Sequence, residues 1–385
     1  MRQASASTQT LLDDLAGRYE LCPGQTVSVR GRRGVLTPGR LTRLLHGMDT
    51  LQAQRTLGSV FTLCGHAHQR ALQLAIQCAA TQCQLDETTV GIMQLSMETA
   101  RDQLRTMALD WPRLGLGHPP NLDWLTGCPI PLGPARFPTE PVPHAVLAQH
   151  ARAWLQNLLD APPQDWLNST ADERQMLQWC MRAASRVAPA SALANWAQNP
   201  TLQHKTCAAK LVDPHAGDTI AAVNASLIDQ PEFSQFPNLH QRCAETGPWS
   251  RSRLGLFASP LVISPWQRLA SRWRDFVACL LSVIDHTVYL RAGARPVGQN
   301  AAIAWVEMAR GVLLYRVSVD TEQRVTDIRI VAPTEWNFHP RGCLAQHVGA
   351  LRQDQSHDAR LLAMAWDACV ECVVNDNRGH QETTA

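Results

Sequence analysis

Two short clusters concentrate sulfur and imidazole. In the first, Thr62-Leu63-Cys64-Gly65-His66-Ala67-His68, a thiol is followed closely by two imidazoles. Cysteine with histidine is a ligand set that transition metals accept. Leu72, Ala75, Ile76 and Ala79 recur at three- and four-residue steps just downstream. The Cys64 thiol therefore falls near a helix N-terminus, a position that favours thiolate. The second cluster is Asp367-Ala368-Cys369-Val370-Glu371-Cys372. A Cys-x-x-Cys pair at a helix end can grip one ion from one side, and alone it is half a zinc site or a redox pair. The redox alternative asks for a βαβ setting that the flanking pattern lacks. No second Cys-x-x-Cys completes a four-thiolate site, so a shared metal requires the two clusters to meet in space.

The elements around these clusters follow from hydrophobic period. A short polar helix is expected over the first 20 residues and a strand pair over 25–36, where Val27, Val29 and Val35 alternate with polar residues. Helices are expected over 56–82 and 88–109, the second ending before Pro112. Residues 111–143 are rich in proline and glycine and read as a long loop or boundary. Helices resume at 144–159, 171–185 and 190–197, and 200–262 is mixed. The longest helix is expected over 265–290, with Trp266, Leu269, Trp273, Phe276, Val277 and Leu280 on one face. The period then changes. Residues 311–319 and 324–331 form a hairpin about a turn at 320–323. A loop over 333–340 and a last helix over 357–368 complete the chain. The class is α+β, helix-dominated, with one large domain divided into 1–54, 55–110, 111–143, 144–300 and 301–385.

Composition narrows the function. The 385 residues are 45% hydrophobic and 18% charged, which excludes a disordered chain. No apolar run reaches the roughly 18 residues that a spanning helix needs. The segment 276–290 is interrupted by Asp285 and His286, and the N-terminal segment lacks a signal-peptide core. A net charge of +2 gives no general case for nucleic acid or an anionic membrane. Lys205 and Lys210 are the only lysines; the other basic residues are arginine. The 12 cysteines of a chain without an export signal are expected to be reduced, and a cytoplasmic location follows from the same reasoning.

Five blocks in order resemble the large subunit of nickel–iron hydrogenases. The first and last are the two cysteine clusters, which are similar to that family's R-x-C-G-x-C and D-P-C-x-x-C-x-x-H. Between them, Glu245-Thr246-Gly247-Pro248-Trp249-Ser250-Arg251 resembles E-x-G-P-L-A-R. Glu307-Met308-Ala309-Arg310-Gly311 resembles E-A-P-R-G. Val331-Ala332-Pro333-Thr334-Glu335-Trp336-Asn337, followed by Pro340-Arg341, is similar to V-x-P-T-x-W-N-x-x-P-R. The resemblance implies a large-subunit-like fold and assigns Cys64, Cys369 and Cys372 as metal ligands. It places His66 and His68 as additional ligands or as residues that position the loop. Arg310, Pro333 and Thr334 match the pocket that faces the iron's diatomic ligands, where a cyanide nitrogen wants a charged donor and a hydroxyl.

The departures are as informative. A bridging cysteine position of the family is Ala67 here, its following histidine is Ala71, its terminal histidine is Asn375, and the aspartate–proline step is Asp367-Ala368. The E-G-H segment with the family's proton-gating glutamate is missing near 25–33. These losses fall on nickel binding, proton exit and C-terminal processing. The pattern resembles accessory proteins of the HupK/HoxV kind. The resemblance implies a non-catalytic maturation scaffold or chaperone, with no catalytic residue, that carries iron with cyanide and carbonyl ligands. Its implied partners are the hydrogenase large subunit and maturation chaperones of the Hyp type, with no nucleic acid and no membrane insertion. Nickel is not expected. Two alternatives stay open: an active hydrogenase large subunit, and a structural zinc protein using Cys64, His66, Cys369 and Cys372.

Overall fold

The computed structural model describes residues 16–61, 64–132, 144–205, 210–215, 218–251, 263–375 and 381–384. Residues 1–15 of the expected first helix, and the Thr62-Leu63 step of the first cluster, lie outside the described residues. The rest of that helix is corrected: Arg18–Leu21 is a strand, β1. It pairs antiparallel with β2 (Val29–Arg32), the strand pair expected here with one member displaced upstream. Gly31 has φ +74°, and a Cβ there would meet the Arg18 carbonyl at 2.1 Å, so only glycine fits.

Eleven strands in chain order make three sheets among the described residues. The others are β3 (Leu85–Asp86), β4 (Lys210–Leu211), β5 (Ala244–Glu245), β6 (Ala292–Gly298), β7 (Ala301–Met308), β8 (Gly311–Val319), β9 (Val325–Val331), β10 (Cys372–Asn375) and β11 (Gln381–Thr384). One sheet runs β11-β10-β1-β2, with β1 parallel to β10, so it ties the two ends of the chain together. The second is antiparallel and runs β3-β6-β7-β8-β9, and β4 pairs with β5. The β8–β9 hairpin is as expected. Strands β6 and β7 were not: every residue of β7 is buried, so its side chains form a continuous apolar run instead of alternating.

Helices supply most of the rest, and the chain is α+β with helices dominant. The helix expected over 56–82 is two, Thr50–Val60 and Gly65–Thr81, broken at Cys64. The second helix packs on β6, β7 and β8. The helix Thr89–Arg105 does not stop before Pro112; it widens into a π-helix over Thr106–Leu116. The wider turn accommodates the proline ring, and Trp111 and Pro112 are buried within it. The longest helix, Pro265–Ile284, begins at a Ser264 capping box, with proline at its first position. All of its residues are buried, not one face only, because helices Thr89–Arg105, His144–Leu159 and Ser356–Trp366 surround it. The expected 333–340 loop opens with a short helix, Pro333–Asn337. No helix among the described residues is long and apolar enough to cross a membrane.

Candidate metal-carrying site

Four elements meet where the two larger sheets approach. Cys64 is the N-cap of the helix Gly65–Thr81, as its place before an apolar stripe predicts. Glu98, on the helix Thr89–Arg105, secures that helix start. Its Oε2 accepts from the His66 N–H at 2.9 Å and its Oε1 from the Ala67 N–H at 3.0 Å. A carboxylate on two otherwise unpaired N–H groups at a helix start is a strong cap. Cys369 lies beyond the helix Ser356–Trp366, which ends at Asp367 with a left-handed φ of 52°. The Cys-x-x-Cys pair is thus not on a helix end: it runs from a bend at Cys369 into β10 at Cys372.

Arg33 follows β2 and is buried; its Nη1 donates to Cys369 Sγ at 3.2 Å. Thr334, second residue of a helix that Pro333 starts, has Oγ1 3.8 Å from Cys369 Sγ. Arg310 sits in the tight β7–β8 turn and is buried, and its charge acts on both Cys64 and Cys369. The thiols of Cys64 and Cys369 are near enough that the charge of one raises the proton affinity of the other. Burial, Cys369 and Glu98 together raise the Cys64 pKa strongly, despite Arg310 and Arg33. Desolvation here outweighs the helix-terminus effect, which alone favours thiolate.

The turn that presents Arg310 is locked from behind. Gly311 has φ +126°, and a Cβ there would come within 2.5 Å of Thr246. Thr246 Oγ1 accepts from the Val312 N–H at 2.9 Å, and the Thr246 N–H donates to Asn337 Oδ1 at 3.0 Å. Three of the sequence blocks therefore form one interlocked unit. Below it lies a buried ionic network. Arg310 pairs with Asp102; its Nε is 3.1 Å from Asp367 Oδ2 but not aligned for a hydrogen bond. Arg272 Nη1 donates to Asp367 Oδ2 at 2.7 Å and to Gln103 Oε1 at 2.8 Å. Gln103 in turn donates to Asp275, which also pairs with Arg251.

The other sequence candidates fall as follows. His68 is buried, stacked 3.6 Å from Phe61, with Nδ1 2.6 Å from Tyr315 Oη, and burial holds it neutral. The same Phe61 ring carries the Arg33 guanidinium at 5.0 Å. The His66 imidazole is influenced by Arg70 and Glu87, and its Nε2 has no hydrogen-bond partner. Cys372 is buried opposite Tyr19 in the sheet register, and burial with Glu371 pushes its thiol up to about 12. Among the described residues, no group of three or more His, Cys, Asp or Glu side chains is drawn together to hold a metal ion. Cys64 and Cys369 are near enough for their charges to act on one another here. Among the described residues ten cysteines are free thiols, while Cys343 is disulfide-bonded, against the expectation of a fully reduced chain.

Sequence reasoning missed Arg33, Glu98, Asp102 and Glu335. Glu335 is buried beside Thr334; its Oε1 accepts from Tyr19 Oη at 2.6 Å, its Oε2 has no partner, and burial raises its carboxyl to about 7. The spacing of Glu98 and Asp102, one helical turn apart on a face turned toward the Cys64 helix, was the available signal.

No family model matches the chain. The hydrogenase expression/formation protein HoxV of Cupriavidus necator is 30% identical over 401 residues, covering 94% of this chain and 95% of its own. HupK of Rhizobium leguminosarum bv. viciae, also a hydrogenase expression/formation protein, is 29% identical over 379 residues, with 91% and 92% covered. A crystal structure of an NAD+-reducing nickel–iron hydrogenase in the H2-reduced state aligns over 92% of this chain and 98% of its own, at 14% identity and a TM-score of 0.48.

Proposed function

We propose, from the premise that this chain belongs to the HoxV/HupK family of hydrogenase expression/formation proteins, that it carries iron bearing two cyanides and one carbonyl and passes it to the true large subunit. The observation that carries this reading is the Cys64–Cys369 thiol pair faced by Arg33, Arg310 and Thr334. Iron that arrives with three diatomic ligands needs few protein ligands, and two soft thiolates suit it. Cyanide nitrogen is a strong acceptor that a dry pocket must satisfy. Arg33 and Arg310 are buried; Arg33 Nε is without a hydrogen-bond partner and so has a donor to spare, while Arg310 Nε faces Asp367 Oδ2 at 3.1 Å. Their charges offset those of two bound thiolates.

The iron unit is cargo, and its loading is ligand exchange. Iron–sulfur bonds replace the two thiol protons, which leave to solvent, and the iron keeps its oxidation state. A buried thiol that clings to its proton binds metal less tightly than a preformed thiolate. Ala67 withholds the sulfur that would bridge in the nickel–iron site. Both features weaken the grip and let the cargo move downhill to a site with four thiolates. In this reading the chain turns over no hydrogen, holds no nickel and works in the cytoplasm with the large subunit and Hyp-type chaperones. The structural zinc alternative has less support, because a closed site needs four ligands and none is assembled among the described residues. The test is transfer: iron-labelled protein incubated with metal-free large subunit should lose its label to it. Label that stays on this chain would refute the carrier role.

A further inference from the structure

Cys243 and His339 take no part in the Cys64–Cys369 pocket, yet they form a second thiol–imidazole pair. Cys243 Sγ is 3.2 Å from His339 Nδ1. The Arg341 N–H donates to the same Nδ1 at 3.1 Å. With a backbone donor and the thiol both directed at it, Nδ1 carries a lone pair and the ring proton sits on Nε2. Two cis ligands of six-coordinate iron, with metal–sulfur and metal–nitrogen bonds of ordinary length, stand about 3 Å apart. The pair is therefore within a few tenths of an ångström of a chelating separation. Cys243 is half-buried, whereas His339 and Cys64 are buried.

This pair lies just across Arg32 and Arg33 from the inner pocket. The His339 ring meets Phe236 edge-on at 6.4 Å, and Arg32 stacks on Phe236 at 4.4 Å. The neighbouring Gln235 donates to the Arg33 carbonyl at 3.4 Å, and Arg33 itself holds Cys369. Charge selects the ligand. Arg32 and Arg341 both act on His339, so a bare divalent ion on one thiolate, net positive, would be repelled. Iron(II) with two cyanides is neutral, and on one thiolate it is an anion, which two arginines attract.

We propose that Cys243 and His339 form an outer binding site for the same dicyano-carbonyl iron unit, occupied on its way to or from the inner pocket; this rests on the carrier reading above. Binding replaces the Cys243 thiol proton by iron, with the proton leaving to solvent. The His339 Nδ1 lone pair exchanges its hydrogen bonds from the Arg341 N–H and the Cys243 thiol for iron and displaces one exogenous iron ligand; the N–H of the exposed Arg341 turns to solvent, and no electron is transferred.

The test uses full-length protein, loaded without oxygen from a synthetic dicyano-carbonyl iron(II) complex and read by infrared spectroscopy. The double variant Cys64→Ser/Cys369→Ser should keep cyanide and carbonyl stretches, shifted from those of the wild type. Adding Cys243→Ser, or separately His339→Gln, should remove them; Cys243 is half-exposed, so its substitution spares the fold. Bands that survive in both triple variants, or bands absent from the double variant while present in the wild type, would overturn the outer site alone. A wild type without bands would overturn the carrier reading and this site with it.

Discussion

At Cys369 one sulfur meets a guanidinium and a hydroxyl, and in the proposed carrier role these two donors would face the acceptors on a bound iron unit. The neighbouring Glu335 gives a prediction at the scale of one residue. Its carboxyl is raised by burial to about 7. Below the ordinary carboxyl range, folded and unfolded chains are both protonated there and the group is neutral in the balance. As pH rises toward 7 the unfolded chain releases this proton first, so stability is lost over that window, by about 3 kcal/mol. Glu335→Gln keeps the acceptor for Tyr19 and removes the titration. Urea unfolding at pH 5 and pH 8 should show a smaller loss for Glu335→Gln than for the wild type; equal losses would contradict the assignment. Ala67 supports a second expectation. Ala67→Cys should restore a bridging sulfur, raise iron retention in purified protein and slow hydrogenase maturation in cells. Unchanged retention and maturation would make the alanine incidental.

Among elements, the start of the helix Gly65–Thr81 depends on a carboxylate from another helix. Glu98→Ala leaves two helix-terminal N–H groups unpaired beside Cys64, at a cost of about 1–3 kcal/mol. It should also loosen Cys64, so a lowered denaturation midpoint is expected together with reduced iron content; a midpoint equal to the wild type would exclude the cap. The same scale shows what a sequence can reveal. The Cys64 helix, the long helix 265–284 and the β8–β9 hairpin were legible because period and turn chemistry are local. Strands β6 and β7 were not: burial on both faces erases alternation in β7, and β6 carries two glycines and a proline in place of an alternating apolar pattern. Pro112 misled because tertiary packing sustains a π-helix through it.

Across the whole molecule, the ionic network of Asp102, Arg310, Asp367, Arg272, Gln103, Asp275 and Arg251 connects three helices to the β7–β8 turn. Removing the Asp102 charge leaves buried Arg310 with only Asp367, which Arg272 already shares. Asp102→Asn should therefore cost roughly 3–5 kcal/mol in chemical unfolding; a loss below 1 kcal/mol would mean Arg310 finds another partner. Cys64, Cys369, Arg310 and Thr334 could be found in the sequence because they sit in recognisable blocks. Arg33 could not: it reaches Cys369 across 336 positions, through a sheet that pairs the first strand with one near the C-terminus. No local pattern encodes that contact.

The Cys64–Cys369 pocket is proposed to hold iron with cyanide and carbonyl ligands. Infrared spectroscopy of the full-length protein, purified without oxygen from cells that assemble hydrogenase, tests it most directly. Two cyanide stretches and one carbonyl stretch are expected in the wild type, with iron present and nickel at background. These bands should be weakened and shifted in Cys64→Ser and in Cys369→Ser. A wild type that carries zinc alone, or that lacks these bands although maturation in the same cells proceeds, would contradict it.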